Sequence, residues 1–219
     1  GSIYVHLDWH ASHYVKTELD KIFGYECFLN EVIWGYDFGG RSKEMWPRKH
    51  DVLLWYKKSK DYTFNFDDID RIPYKGNIHK YRGNQETKKD GKTPTDVWDL
   101  GIINTMSNER LGYPTQKPEI LLDRVIRTCS KPNDIVADFF MGGGTTLAVA
   151  QKLGRRFIGS DISRVAVSVT LDRLVRDAED MSGKKASTNK DRPVQDMLLA
   201  NRVIHDINVY YHGIYPTDK

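Results

Sequence analysis

The spacing of apolar positions changes several times along the chain, and each change marks an element. Residues 3–7 (IYVHL) form a short apolar run that reads as a buried strand. Val15, Leu19, Ile22 and Phe23 then recur at helical spacing, which predicts a helix over roughly 13–23, capped by Ser12 and stopped by Gly24. Residues 28–34 (FLNEVIW) and 52–56 (VLLWY) are rich in strand formers and read as hairpin partners across a loop spanning residues 35–47. From Asp67 to about Thr95 the pattern loses its period, and a loop or irregular insertion is expected.

Regular patterning returns at Pro118. A proline in a first helical turn, then Leu121, Leu122, Val125, Ile126 and Cys129 on one face, predicts an amphipathic helix. Residues 132–134 (PND) make a turn, residues 135–138 (IVAD) a short buried strand, and Gly142, Gly143 and Gly144 lead into a helix from Thr145 to Leu153. Residues 157–159 (FIG) are the next strand, ending at Asp161, and a long helix follows over about 163–180. This β-α-β-α order predicts a parallel sheet with crossover helices, the doubly wound α/β class. Residues 182–193 are polar and read as a linker, and the last segment, ending in Val209-Tyr210-Tyr211, as an edge strand.

Composition narrows the field. At 219 residues and 39% hydrophobic content the chain can bury a sizeable core. No run approaches the roughly 18 apolar residues of a membrane span, and the N-terminal residues lack a signal-peptide pattern. The two cysteines, Cys27 and Cys129, form no CxxC pair, so no structural zinc is expected and the chain reads as cytoplasmic. A net charge of +3 permits a polyanionic partner without demanding one.

The strongest chemical signal is Asp138-Phe139-Phe140-Met141-Gly142-Gly143-Gly144-Thr145-Thr146, followed by Phe157-Ile158-Gly159-Ser160-Asp161. Glycines between a strand end and a helix start allow close backbone approach, and the helix N-terminus offers N–H donors to an anion. An acid at the end of the next strand, roughly 20 residues on, suits ribose hydroxyls, and Asp161 stands there. The bland alternative is tight packing alone. A nucleoside triphosphate is disfavoured because Thr145, not lysine, follows the last glycine, and the dinucleotide fingerprint is broken by Leu147. S-adenosylmethionine carries no phosphate, and its amino-acid end suits both donors and a carboxylate. Asp138 is placed for the ammonium, the loop N–H groups for the carboxylate, and Asp161 for the ribose.

These motifs resemble those of the N6-adenine and N4-cytosine DNA methyltransferases. Gly112-Tyr113-Pro114-Thr115-Gln116-Lys117-Pro118 is similar to the family segment that precedes the cofactor loop and closes one side of its pocket. A helix cap explains Thr115 and Pro118 but not Tyr113, Gln116 or Lys117. With residues 3–8, the strand at 30–34 and Arg48-Lys49-His50-Asp51, the similarity spans 1 to about 175. It implies a Rossmann-like methyltransferase sheet in circularly permuted order, with the cofactor motif last. It assigns Thr115, Gln116, Lys117, Asp138, Phe139, Phe140, Gly142, Gly144, Thr145, Thr146 and Asp161 to S-adenosylmethionine, and DNA as partner.

One feature departs from the family pattern. Its catalytic signature contains two adjacent prolines, and none of the prolines at 47, 73, 94, 114, 118, 132, 192 and 216 adjoins another. The resemblance places that tetrapeptide before residue 3. The expectation is therefore an N-terminally truncated or split enzyme with no assignable catalytic residue, inactive alone, completed by the missing segment or a partner subunit, or pairing with itself through an exposed sheet edge. The expected division is 1–181 as methyltransferase domain, with target-side elements at 1–66, a target-recognition insertion at 67–111 and the cofactor part at 112–181, then an extension over 182–219.

Weaker candidates remain two-sided. Arg41, Lys43, Arg48 and Lys49, interleaved with Tyr36, Phe38 and Trp46, either line a DNA cleft or form a solvated loop. His10 and His13 lack a third metal ligand and read as surface histidines. Lys88-Lys89 and Arg155-Arg156 read as solvated charges. Two other functional classes stand beside the enzyme: a non-catalytic cofactor- or DNA-binding subunit, and a methyltransferase for RNA or a small molecule.

Overall fold

The computed structural model describes residues 1–72, 91–103, 107, 109–181 and 207–210. In chain order the elements are β1 (Ser2–Leu7), α1 (Ser12–Phe23), β2 (Phe28–Gly35), β3 (His50–Lys57), β4 (Val97–Asp99), α2 (Glu119–Cys129), β5 (Ile135–Asp138), α3 (Thr145–Lys152), β6 (Arg156–Gly159) and α4 (Arg164–Met181). They build one four-stranded sheet, ordered β1-β3-β2-β4, and one two-stranded sheet, β5-β6.

The expected hairpin is present: β2 and β3 run antiparallel, with Val32 opposite Leu53. Alternation along β3 divides its side chains between two cores. Val52, Leu54 and Tyr56 meet Leu19 and flanking α1 residues on one face. Leu53 joins Val32, Trp34, Leu121 and Val125 on the other. β1 lies antiparallel to β3 as the first strand of the sheet, which is why most of its side chains are half-buried, not buried as the apolar run suggested. β4, which falls inside the stretch read as an insertion, runs parallel to β2. Its three residues are too few to set up a period.

The second half follows the predicted alternation. β5 and β6 are parallel and joined through α3, pairing Val136 with Phe157 and Asp138 with Gly159. Helix α2 links the two sheets: Leu121 and Val125 pack on the four-stranded sheet, while Ile126 faces Val149 and Ala150 of α3.

Three local readings are corrected. Ser12 does not cap α1: it is the first residue of the helix, Ala11 stands at the N-cap without a side-chain bond, and Asp8 holds the preceding turn, its Oδ1 accepting from the Ala11 N–H at 3.2 Å and its carbonyl from the Ser12 N–H at 3.1 Å. Arg155 is no solvated charge: it donates to the Ser130 carbonyl at 2.8 Å and the Leu153 carbonyl at 2.6 Å, closing the turn between α2 and β5. Val209 and Tyr210 form no strand. Tyr211, Lys88-Lys89 and the linker at 182–193 lie outside the described residues, as does most of the expected insertion. Among the described residues no helix is long and apolar enough to cross a membrane.

Candidate functional site

The segment from Asp138 to Thr146 wraps the C-terminal end of β5. Gly142 and Gly144 have φ of 50° and 69°, left-handed values that glycine adopts without strain. A Cβ on Gly144 would sit 2.5 Å from Thr170, and one on Gly142 would sit 3.1 Å from the Tyr113 ring. The loop is thus a close-packed backbone ribbon between Tyr113 and α4.

Both acids hold it. Asp138 accepts from the Phe140 N–H at 3.0 Å and from the Thr146 hydroxyl at 2.6 Å. Asp161 accepts from the Gly142 N–H at 2.9 Å and from the Ser163 N–H at 2.8 Å. The sequence suggested ligand contacts for both carboxylates; in the structure each is bonded to the loop. Phe140, 92% exposed and two residues after Asp138, and the fully exposed Ile162, next after Asp161, leave apolar surface beside two acids.

The upstream segment meets this loop. The Thr145 hydroxyl donates to the Lys117 carbonyl at 3.1 Å. Gln116 bridges back to residues 109–111, accepting from the Leu111 N–H at 2.9 Å and donating to the Glu109 carbonyl at 2.7 Å. The capping alternative for Thr115 fails: its φ is 62°, and its hydroxyl donates to the neighbouring Pro114 carbonyl. The side chain that caps α2 is Glu109, whose Oε1 accepts from the Glu119 N–H at 2.6 Å. Burial holds the Lys117 ammonium below the usual lysine range, with Asp51 opposing.

Asp51 belongs to a network that the sequence left unassigned. It bonds His6 Nε2 at 2.9 Å and accepts from the Tyr36 hydroxyl at 3.0 Å. Burial pushes its carboxyl up, but the contacts with His6 and Tyr36 outweigh this and leave it below the usual range. Tyr36 is pushed up to about 12 by burial, then by the Asp51 charge. The three residues stand where β1 and β2 end and β3 begins, facing Lys117.

The loop between β2 and β3 is only partly as expected. Lys49 is turned inward, donating to the Phe38 and Gly40 carbonyls, and so secures the loop. Arg41 pairs with Asp37 at 2.7 Å in solvent. Arg48 lies 3.6 Å over the Trp9 ring, a stack that sequence reasoning missed because 39 positions separate the two residues. Lys43 and Trp46 are exposed. His10 bonds Asp8 at 3.0 Å, and among the described residues no group of three potential ligands could hold a metal.

Comparison with known proteins matches this architecture. The type II methyltransferase M.HpaI of Haemophilus parainfluenzae is 34% identical over 175 residues, 80% of this chain and 53% of that protein. The DNA adenine methyltransferase YhdJ of Escherichia coli is 34% identical over 180 residues, 80% of this chain and 60% of that one. The chain thus spans about half the length of the curated relatives it matches. Among solved structures, the cytosine-N4-specific PvuII DNA methyltransferase aligns with a TM-score of 0.61 at 16% identity, over 90% of this chain and 67% of that one. The M1.HpyAVI–SAM complex aligns at 0.55 and 22% identity, over 80% and 74%. These likenesses show a fold shared with methyltransferases, a Rossmann-like mixed α/β architecture. The family profile of the N6/N4 DNA methylases covers residues 1–172. The chain belongs to that DNA methylase family.

Proposed function

We propose that this chain is the cofactor-carrying part of an S-adenosylmethionine-dependent DNA methyltransferase that acts on the exocyclic amino group of adenine or cytosine. The observation that carries the reading is the glycine ribbon of 142–144, held by Asp138 and Asp161 and backed by Tyr113. Its donor set fits the cofactor. Backbone N–H groups and two carboxylates suit an amino acid and a ribose, Phe140 and Ile162 offer apolar surface for a purine, and the residue after the last glycine is Thr145, where a triphosphate loop carries lysine.

Held by Asp138, Asp161 and the ribbon N–H groups, S-adenosylmethionine would supply a sulfonium methyl for the amino nitrogen, the carbon–sulfur bond breaking to leave a neutral thioether and the nitrogen losing a proton to solvent. The chain's own residues bind and orient. Asp138 and Asp161 fix the loop, the Tyr113–Lys117 segment closes one wall, and Arg48 and Lys43 supply positive charge for phosphates. A target base has to leave the stack to reach the cofactor. The rate advantage then comes mainly from holding nitrogen and methyl in line.

No adjacent prolines occur in these 219 residues, so the family's catalytic tetrapeptide has to come from elsewhere. In our reading a preceding segment supplies it, and 1–181 is the part of the methyltransferase domain present here. The same absence favours a second reading, a cofactor- or DNA-binding subunit completed by a partner chain. Transfer of labelled methyl to DNA separates them. The first reading expects none from this chain and recovery when the preceding segment of its own gene is added. Activity only with a different protein would support the second.

A further inference from the structure

The largest fully buried side chain among the described residues is a charged one, Arg173 in the middle of α4, 1% exposed. Its guanidinium donates to the Gly143 carbonyl at 3.1 Å, to the Thr145 hydroxyl at 3.0 Å and to Glu119 at 2.7 Å. One turn earlier the Thr170 hydroxyl donates to the Gly142 carbonyl at 3.0 Å. Helix α4 therefore holds two successive carbonyls of the glycine ribbon, and Arg173 also holds the residue that opens α3. Through Thr145, which donates to the Lys117 carbonyl at 3.1 Å, the same group reaches the wall segment.

We infer that Arg173, with Thr170, is a positioning residue for the cofactor loop. Burying a guanidinium is costly, and a well-packed apolar side chain of similar size commonly stabilises a core as well or better. Packing alone does not account for a guanidinium bonded at once to the ribbon, to the first residue of α3 and to Glu119. What the guanidinium does that an apolar chain cannot is fix the direction of a peptide plane. In a trans peptide the carbonyl and the following N–H point to opposite sides. With the Gly142 carbonyl turned into α4, the Gly143 N–H is aimed away from it. With the Gly143 carbonyl turned inward, the Gly144 N–H closes onto the Met141 carbonyl at 2.7 Å, completing the turn. A glycine ribbon has little conformational preference of its own, so its shape has to be imposed from outside. Glu119 balances the buried charge and is itself held low: burial pushes its carboxyl up, but Lys152 and Arg173 outweigh that.

The inference rests on the cofactor reading above, and its test separates the two. Two variants of the full chain are compared with the unaltered protein: Thr170→Val, and the double variant Arg173→Met with Glu119→Gln, which leaves no charge unpaired at that contact. Affinity for S-adenosylhomocysteine is measured by calorimetry, and amide hydrogen exchange is followed at 142–146 and at 52–56 in the free protein. The expected result is an affinity loss of about tenfold or more in the double variant, the scale of losing charge-assisted bonds. A smaller loss is expected in Thr170→Val. Exchange should quicken at 142–146 while 52–56 keep their protection, a pattern that general destabilisation would not give. If the double variant does not fold, Thr170→Val decides by the same two readouts. If the unaltered chain binds no S-adenosylhomocysteine, the cofactor reading falls and this role with it. If it binds and the variants match it in affinity and loop exchange, only the role of Arg173 and Thr170 is overturned.

Discussion

Asp161 and Gly142, 19 residues apart in sequence, are joined by a 2.9 Å bond from the glycine N–H to the carboxylate. The acid at the end of β6 thereby holds the loop at the end of β5. Replacing it removes a bonded carboxylate and a brace from the loop. Asp161→Ala is expected to weaken S-adenosylhomocysteine binding by at least about 1.5 kcal/mol, the scale of a charge-assisted hydrogen bond. Equal affinity in calorimetry would remove Asp161 from the site.

The β2–β3 loop gives a prediction about DNA. Arg48 is stacked on Trp9 and Lys43 is exposed, whereas Lys49 is turned into the loop. Alanine at Arg41, Lys43 and Arg48 together should lower DNA affinity and flatten its dependence on salt, since fewer counterions are released. Lys49→Ala should act instead by loosening the loop. A triple variant with unchanged affinity and salt slope would make this loop ordinary surface.

Asp51 makes stability depend on acid. Its folded pKa lies below the unfolded carboxylate value of about 3.9, so the stability it contributes is fully present above that pH. That stability is lost as pH falls through the folded value. Asp51→Asn should therefore lower the melting temperature at neutral pH and flatten part of its decline below about pH 4. Parallel melting curves for the two proteins down to that range would show that the His6–Asp51–Tyr36 network adds nothing.

Much of this was legible in the sequence because it is local. The β5-α3-β6-α4 unit announces itself through period, glycines and two acids at strand ends, and the structure keeps each element within a residue or two. What was not legible depends on register or on tertiary burial. His6 meets Asp51 across 45 residues only because β1 and β3 pair antiparallel in one register. Arg173 lies in a helix full of charges, and nothing local marks it as the one that turns inward. Ser12 looked like the cap of α1 because serine commonly caps, but a turn held by Asp8 precedes the helix, and Ser12 is already its first residue. Lys49 carried a charge that composition assigns to solvent or DNA, and only the fold of the loop shows it bonded to carbonyls.

The central claim is that the ribbon of 142–144 and its two acids form a site for S-adenosylmethionine. The most direct measurement is a calorimetric titration of this chain with S-adenosylmethionine, S-adenosylhomocysteine and a nucleoside triphosphate. The account predicts saturable one-to-one binding of the first two, weakened in Asp161→Ala, and no comparable binding of the triphosphate, because no lysine follows the last glycine. A folded chain that binds neither sulfur ligand, or that prefers the triphosphate, would contradict it.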